Sequence, residues 1–357
     1  MTLHIRIKER AINALMVALV FLTVGIYSCV AQTYSSVNYT DNNPASRVKT
    51  AGSKIRHMEG VNLTAVAMPL QSSINSAYHE IKPALAPCGN RLYFSRVMHP
   101  LNTGGIVDQE DIWYSRYDTI TKVWSEPIRM PGHLNNSGPN FVNNVSSTGD
   151  TIILGNQYTK NGKMKAGLSY SVNVRGQWSV PVSIAIHDDY NMSQHDNRYV
   201  SLKSGVIISS VQRADSYGER DLYVSFWNGK YGTMPINMGG VINTEFEESS
   251  PFLADDMKTL YFASKGHNGY GGYDIFVTRR LDDSWTNWSE PENLGPAVNG
   301  VLDDEFFSLS HCGSVATFSR QINVHNVDLY KISLDELFLK RKKSKEADSE
   351  HSALASL

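Results

Sequence analysis

Five carboxylates invite a chemical reading of this sequence: Glu80, Asp196, Glu248, Asp304 and the adjoining Glu305. If the strands that follow them face a common centre, these acids crowd one mouth of it. A glycoside hydrolase needs two carboxyls, about 5–5.5 Å apart for retention or about 6.5–9.5 Å for inversion. A hard cation takes oxygen ligands of the same kind. The competing reading is structural. Acids that recur once per repeat are most simply explained by repeat geometry, such as accepting backbone N–H bonds where a strand begins. That structural reading is preferred. No residue is assigned as catalytic and no metal or cofactor is assigned, so the five acids stand as a candidate binding mouth.

Other chemistry-bearing residues have simpler explanations. His79 and His195 precede two of the acids and read as loop histidines rather than paired ligands. His187, Asp188 and Asp189 fall in one loop and read as a solvated turn. Trp113, Trp124, Trp178 and Trp288 have the spacing of packing residues, with sugar stacking as the alternative. Gly266 to Gly272 is glycine-rich, but it leads into a strand, so no helix N-terminus meets an anion and it reads as a flexible loop. HExxH, CxxC, P-loop and GxSxG patterns are all missing from the sequence.

The elements that would position these residues come from an internal repeat. Asn75, Asn135, Asn191, Asn243 and Asn299 are separated by 60, 56, 52 and 56 residues. Five positions after each stands Glu80, Asn140, Asp196, Glu248 or Asp304. A turn residue follows (Gly89, Gly149, Gly205, Met257, Gly313), then an apolar run such as Leu92-Tyr93-Phe94 or Leu260-Tyr261-Phe262. A variable polar loop leads to a third run, as in Asp111-Ile112-Trp113, Asp274-Ile275-Phe276 and Asp328-Leu329-Tyr330. A Trp-Ser-x-Pro segment, at Trp124, Trp178 and Trp288, marks a fourth, with Tyr231 to Pro235 as its counterpart. Proline has no ladder donor and belongs on an outermost strand.

Four short strands per repeat predict an all-β fold, a single β-propeller of five four-stranded blades. A sixth blade would require residues 32–60 to supply further strands. The fifth repeat stops after its third strand, and Val61 to Val66 is predicted to pair with Asp328 to Ile332 and close the ring. Cys88 and Cys312 share a repeat position, but such sites lie on the order of 9–14 Å apart in a five-bladed ring, beyond bridging distance.

Glu248 to Asp256, Leu260 to Ser264 and Gly271 to Phe276 resemble the WD-like repeat of TolB-type propellers. Trp288 to Gly295 resembles the variant found in envelope proteins of Bacteroidetes, where such propellers are often joined to helical repeats and an OmpA-like domain. The likeness covers residues 75–334 and weakens in the second and third repeats, where Leu168 lacks the preceding Asp and Asn140 replaces the acid. It implies a protein-interaction scaffold of the cell envelope, with an envelope protein as partner. The helical-repeat and OmpA-like parts are not in this sequence, so peptidoglycan anchoring is not implied.

With 33 basic and 35 acidic residues, the chain has no long-range pull on nucleic acid, and no such partner is expected. Arg6, Lys8 and Arg10 precede an apolar run from Ala11 to Ser28, the order of a secretory signal. Small residues at Cys29 and Ala31 suit signal peptidase cleavage before Gln32, while Ile26 to Cys29 resembles a lipobox with Cys29 acylated. Either route exports the chain to the periplasm or outer membrane. Membrane association is expected only through that lipid or a retained signal anchor. The expected organisation is a signal peptide (1–31), an N-terminal extension (32–60), the propeller (61–334) and a charged tail (335–357). The expected function is non-catalytic scaffolding, with a glycan-active or sugar-binding propeller as the alternative.

Overall fold

A computed structural model describes residues 54–159, 162–311 and 313–338. The leader, Cys29, the extension up to residue 53, Cys312 with its bridge, and the tail from residue 339 lie outside the described residues. The β-type runs become five antiparallel blades. Blade one is His79–Leu85, Arg91–Val97, Glu110–Asp118 and an outer strand in two pieces, Val123–Trp124 and Ile128–Arg129. Blade two is Val142–Val145, Thr151–Tyr158, Met164–Val174 and the pieces Gln177–Trp178 and Val182–Ile186. Blade three is Asn197–Ser201, Val206–Val211, Asp221–Phe226 and Ile236–Asn237. Blade four is Glu248–Leu253, Thr259–Ser264, Asp274–Arg279 and Glu292–Asn293. Blade five is Asp304–Leu309, Val315–Asn323, Asn326–Ser333 and Met68–Pro69.

The first strand of each blade touches its counterparts in both neighbouring blades, so these five are innermost and the ring is closed. The apolar cores sit at the seams. One cluster joins Tyr261 and Ile275 of blade four to Phe307 and Phe318 of blade five, and each of the other four seams holds a cluster of its own. Trp113, Trp124 and Trp288 are buried in the core.

Closure comes from the N-terminal side, displaced from the predicted segment. Met68 and Pro69 pair with Lys331 and Tyr330, and the Leu70 N–H donates to the Leu329 carbonyl at 2.8 Å. Val61 makes only a bridge to Phe338. The shift follows from Pro69, which lacks a donor and suits the outer rung, while Leu70 and Ile74 bury their side chains at the seam beyond it. The Trp-Ser-x-Pro segments mark the break in each outer strand. Ser125, Ser179 and Ser289 fill it by accepting N–H bonds from Arg116, Val172 and Arg279. In blade three, Gly232 bridges Trp227 at the end of its own blade's third strand, and Tyr231–Gly232 also pairs in parallel with Ala185 and Ile186 of blade two. Ile236–Asn237 is the outer strand there, as Ile128–Arg129 and Glu292–Asn293 are in blades one and four.

The repeated asparagine ties each blade to the one before it. Asn243 accepts from the Leu222 N–H at 2.8 Å and donates to the Leu222 carbonyl at 3.0 Å. Asn75, Asn135 and Asn299 do the same to Leu329, Ile112 and Ile275. Asn191 departs, bonding within its own loop and to Gln212. Asn243→Ala leaves the buried Leu222 N–H unpaired, while the Leu222 carbonyl keeps the Met238 N–H, so it is expected to cost about 1–3 kcal/mol of stability. Urea unfolding checks this, and an unchanged midpoint would show that the clasp carries no weight.

Candidate functional site

Three of the recurring acids are buried where their blades begin. Glu80 accepts from the Ser76 N–H at 2.8 Å and from the Arg96 guanidinium at 3.1 Å. Glu248 accepts from the Thr244 N–H at 2.8 Å, the Thr244 hydroxyl and the Ser264 hydroxyl. Asp304 accepts from the Gly300 N–H at 2.5 Å and from Arg320 at 2.7 Å. Asn140 takes the same bond from Asn136 through its amide oxygen. In these four blades the side chain closes a turn onto the N–H four residues earlier.

A second acid stands behind each buried carboxyl, at the start of the third strand of the preceding blade. Asp328 adds to the repulsion at Glu80, Asp221 at Glu248 and Asp274 at Asp304. Burial pushes Glu248 up to about 8 against its hydrogen bonds. Burial likewise pushes Glu80 and Asp304 up to about 7, although each has an arginine beside it.

Blade three is built differently. Asp196 pairs with Arg198 at 2.7 Å, and Arg198 also holds Asp189 at 3.0 Å. Asp188 pairs with Arg213 at 2.9 Å. The loop read as a solvated turn therefore has its two acids tied to buried arginines. His187 stays exposed. His195 lies near Lys82, Glu110, Arg220 and Glu247, whereas His79 lies near His325, so the two histidines do not share a site. Among the described residues, no group of three or more His, Cys, Asp or Glu is placed to hold a metal ion.

Glu305 is the acid that reaches over to the neighbouring blade. Its Oε1 accepts from the Ser249 hydroxyl at 3.0 Å and the Ser250 hydroxyl at 3.2 Å, and Asn197 donates to Ser249 at 3.0 Å. Blades three, four and five are thus chained through their innermost strands. Bulges in blades one, four and five put Lys82, Ser250 and Phe306 in the left-handed region, at φ 56°, 49° and 55°. Each such non-glycine residue costs on the order of 1–3 kcal/mol, and strain of this kind gathers at functional positions. The bulges bring the Lys82 ammonium 3.7 Å from the centroid of the Phe141 ring and 5.6 Å from that of Phe306, with both Glu110 oxygens at 2.8 Å.

Beside this lies a denser cluster. Arg220 donates to Glu247 at 3.1 Å and to the Tyr273 hydroxyl at 2.7 Å, while Lys265 and Tyr273 also bond Glu247. Burial alone would raise Glu247, but Arg220 and Lys265 hold it down to about 2. Burial, with Asp303 adding to it, pushes Glu305 up. Lys82, Glu110, Arg220 and Lys265 carried no repeat signal in the sequence. Glu247 adjoins a recurring acid and could have been singled out on that ground.

Neighbouring loops close the rim of this face. A Cβ on Gly218 would lie 2.2 Å from the Glu245 carbonyl oxygen, and one on Gly271 would lie 2.4 Å from the Val301 carbonyl group. The glycine-rich loop of blade four is therefore packed against its neighbour, which requires close backbone approach rather than flexibility.

Fold and site together define a closed five-bladed β-propeller with a charged, side-chain-filled channel mouth. No family model matches the sequence, and no curated protein matches it. Solved structures similar to it include TolB from Acinetobacter baumannii, at 14% identity over 75% of this chain and 55% of that one, with a TM-score of 0.42. The chain thus spans little more than half of that TolB. Another is the α-L-arabinofuranosidase from Podospora anserina in complex with cellotriose, at 13% identity over 77% and 98% of the two chains, with a TM-score of 0.48. BT0996, solved as an RGII complex, shares 9% identity over 76% of this chain and 92% of its own, with a TM-score of 0.51. At these identities the likeness speaks to the propeller fold alone.

Proposed function

We propose that this is an exported, non-catalytic propeller that binds another protein of the cell envelope through its channel-mouth face. One observation carries the reading. The mouth is filled by bonded side chains, and the loops around it present Leu101, Val107, Met192, Tyr217, Phe246 and Val301 to solvent, Val301 at 75% exposure and Leu101 at 64%. Exposed apolar and aromatic side chains gathered on the loops of one rigid face suit contact with another protein. Export rests on the basic-then-apolar order of residues 1–31.

A photo-crosslinker at Val301 is expected to capture one defined envelope protein, and Phe246→Glu to abolish that capture. The same probe at Leu281, exposed on the opposite face, is expected to capture nothing. Equal capture from both faces overturns the assignment.

The glycan-active reading is favoured by one observation, the opposed states of Glu247 and Glu305, since an acid–base pair needs carboxyls in unequal environments. Incubation with arabino-oligosaccharides separates the two. No sugar release is expected. Release that is lost in Glu305→Gln would replace scaffolding with hydrolysis.

A further inference from the structure

On the face opposite the acids, a cavity of about 430 Å³ opens at the seam between blades one and two. Its blade-one wall follows from strand register. Arg91 pairs directly with Arg116, and two residues along Tyr93 pairs with Tyr114, so all four side chains share one face. Both guanidiniums flank the Tyr114 ring, at 5.6 and 5.8 Å from its centroid. Like charges directly opposite on paired strands are destabilising. Among the described residues neither arginine is paired with a carboxylate, and only the Tyr114 ring and the Tyr93 hydroxyl offset that cost. Arg91 donates only to the Tyr93 hydroxyl, at 3.2 Å. Blade two supplies Trp178, edge-on to Tyr93 at 6.2 Å, and Asp150, whose Oδ1 accepts from the Thr148 and Thr151 hydroxyls.

We infer that this seam is a binding site for a carboxylated sugar, a hexuronate unit of an acidic glycan. Two unpaired guanidiniums on one wall match the planar, bidentate geometry of a carboxylate. Half-buried Tyr114 and Trp178 offer aromatic surface to the apolar face of a pyranose ring. Asp150 selects among anions. Its carboxylate accepts from ring hydroxyls but repels a doubly charged phosphate. The volume lies within the range of small-ligand sites. This site is independent of the mouth face and of any partner bound there.

Calorimetry at low salt with trigalacturonate and neutral galactotriose tests the inference. Trigalacturonate is expected to bind at least about tenfold more tightly than galactotriose. Arg116→Ala, at an exposed position, is expected to weaken it by about tenfold or more without lowering the melting temperature. Arg116→Lys should fall between, because an ammonium keeps the charge but loses the fork. Trp178→Phe, which keeps an aromatic ring at the seam, should weaken both sugars together. No binding of trigalacturonate, equal binding of both trimers, or an Arg116→Ala protein that binds as before overturns the site. Displacement of trigalacturonate by inorganic phosphate at equal concentration overturns the sugar assignment in favour of a phosphate site.

Discussion

Deleting the chain up to and including Leu70 is expected to yield a protein that melts far below the intact one or aggregates on expression. The deletion strips Val61 and Ala67 from the blade-five core and Leu70 from the seam with blade one. At about 1.5–3 kcal/mol for each large apolar side chain, and less for alanine, the lost burial is about 4–8 kcal/mol. That is comparable with the whole stability of an ordinary domain, about 5–15 kcal/mol. It also exposes the edge of Asn326–Ser333, an invitation to pairing with a second chain. A deletion stopping before Lys54 keeps all these contacts and should melt like the intact protein. Scanning calorimetry with light scattering distinguishes the two. A Leu70 deletion that melts normally would show that Asn75, which also clasps Leu329, holds the ring shut by itself.

The second large effect is an inverted dependence of stability on pH. Glu80, Glu248 and Asp304 hold protons in the folded protein up to about 7, 8 and 7, well above the ordinary carboxyl range near 4. At these three carboxyls the folded state therefore binds more protons than the unfolded chain between about pH 4.5 and 8, and their contribution to stability falls as pH rises through that window. His79, His99 and His195, lowered chiefly by burial, act in the opposite sense up to about pH 6.5. Glu248 dominates, because its partners are hydroxyls and an N–H with no cation among them. Its share is on the order of a few kcal/mol. Glu247 acts in the opposite sense. Held at about 2 by Arg220 and Lys265, it stabilises the fold above the ordinary carboxyl range and loses that contribution as pH falls toward 2. Maximal stability is thus expected at mildly acidic pH, with melting several degrees lower at pH 8. Glu248→Gln keeps the Thr244 bonds without a charge to bury, so it should melt above the wild type at pH 8 and alike at pH 5. A flat profile, or a Glu248→Gln protein less stable at pH 8, would show that the Glu248 carboxylate is accommodated in its charged form.

Much of this was legible in the sequence for one reason, that local hydrogen bonding repeats. The acid that closes onto the N–H four residues back recurs because each blade meets the same need, and so does the asparagine that clasps the preceding blade. A repeat count, with the missing fourth strand of the last repeat, was enough to predict five blades and a ring closed from the N-terminal side. The exact rung was not legible, since several short apolar stretches before Asn75 suit an edge strand. Only Pro69 and the burial of Leu70 select among them.

The amino-acid order thus dictates the blade: four strands, their turns, and the polar groups that fasten each start. Which residues meet across blades is settled only in the closed ring. Glu305 stands one position after a recurring acid and gains its place only because Ser249 of blade four, itself held by Asn197 of blade three, arrives beside it. Arg91 and Arg116 are 25 residues apart in sequence and face each other through strand register. Tyr231 follows the third strand of blade three in order, yet it also pairs with Ala185 of blade two. The physical reason is range. Contacts within a few residues are set by backbone conformation, so they repeat with the sequence, whereas contacts across a seam depend on register, bulges and the stacking of blades, which no single repeat encodes.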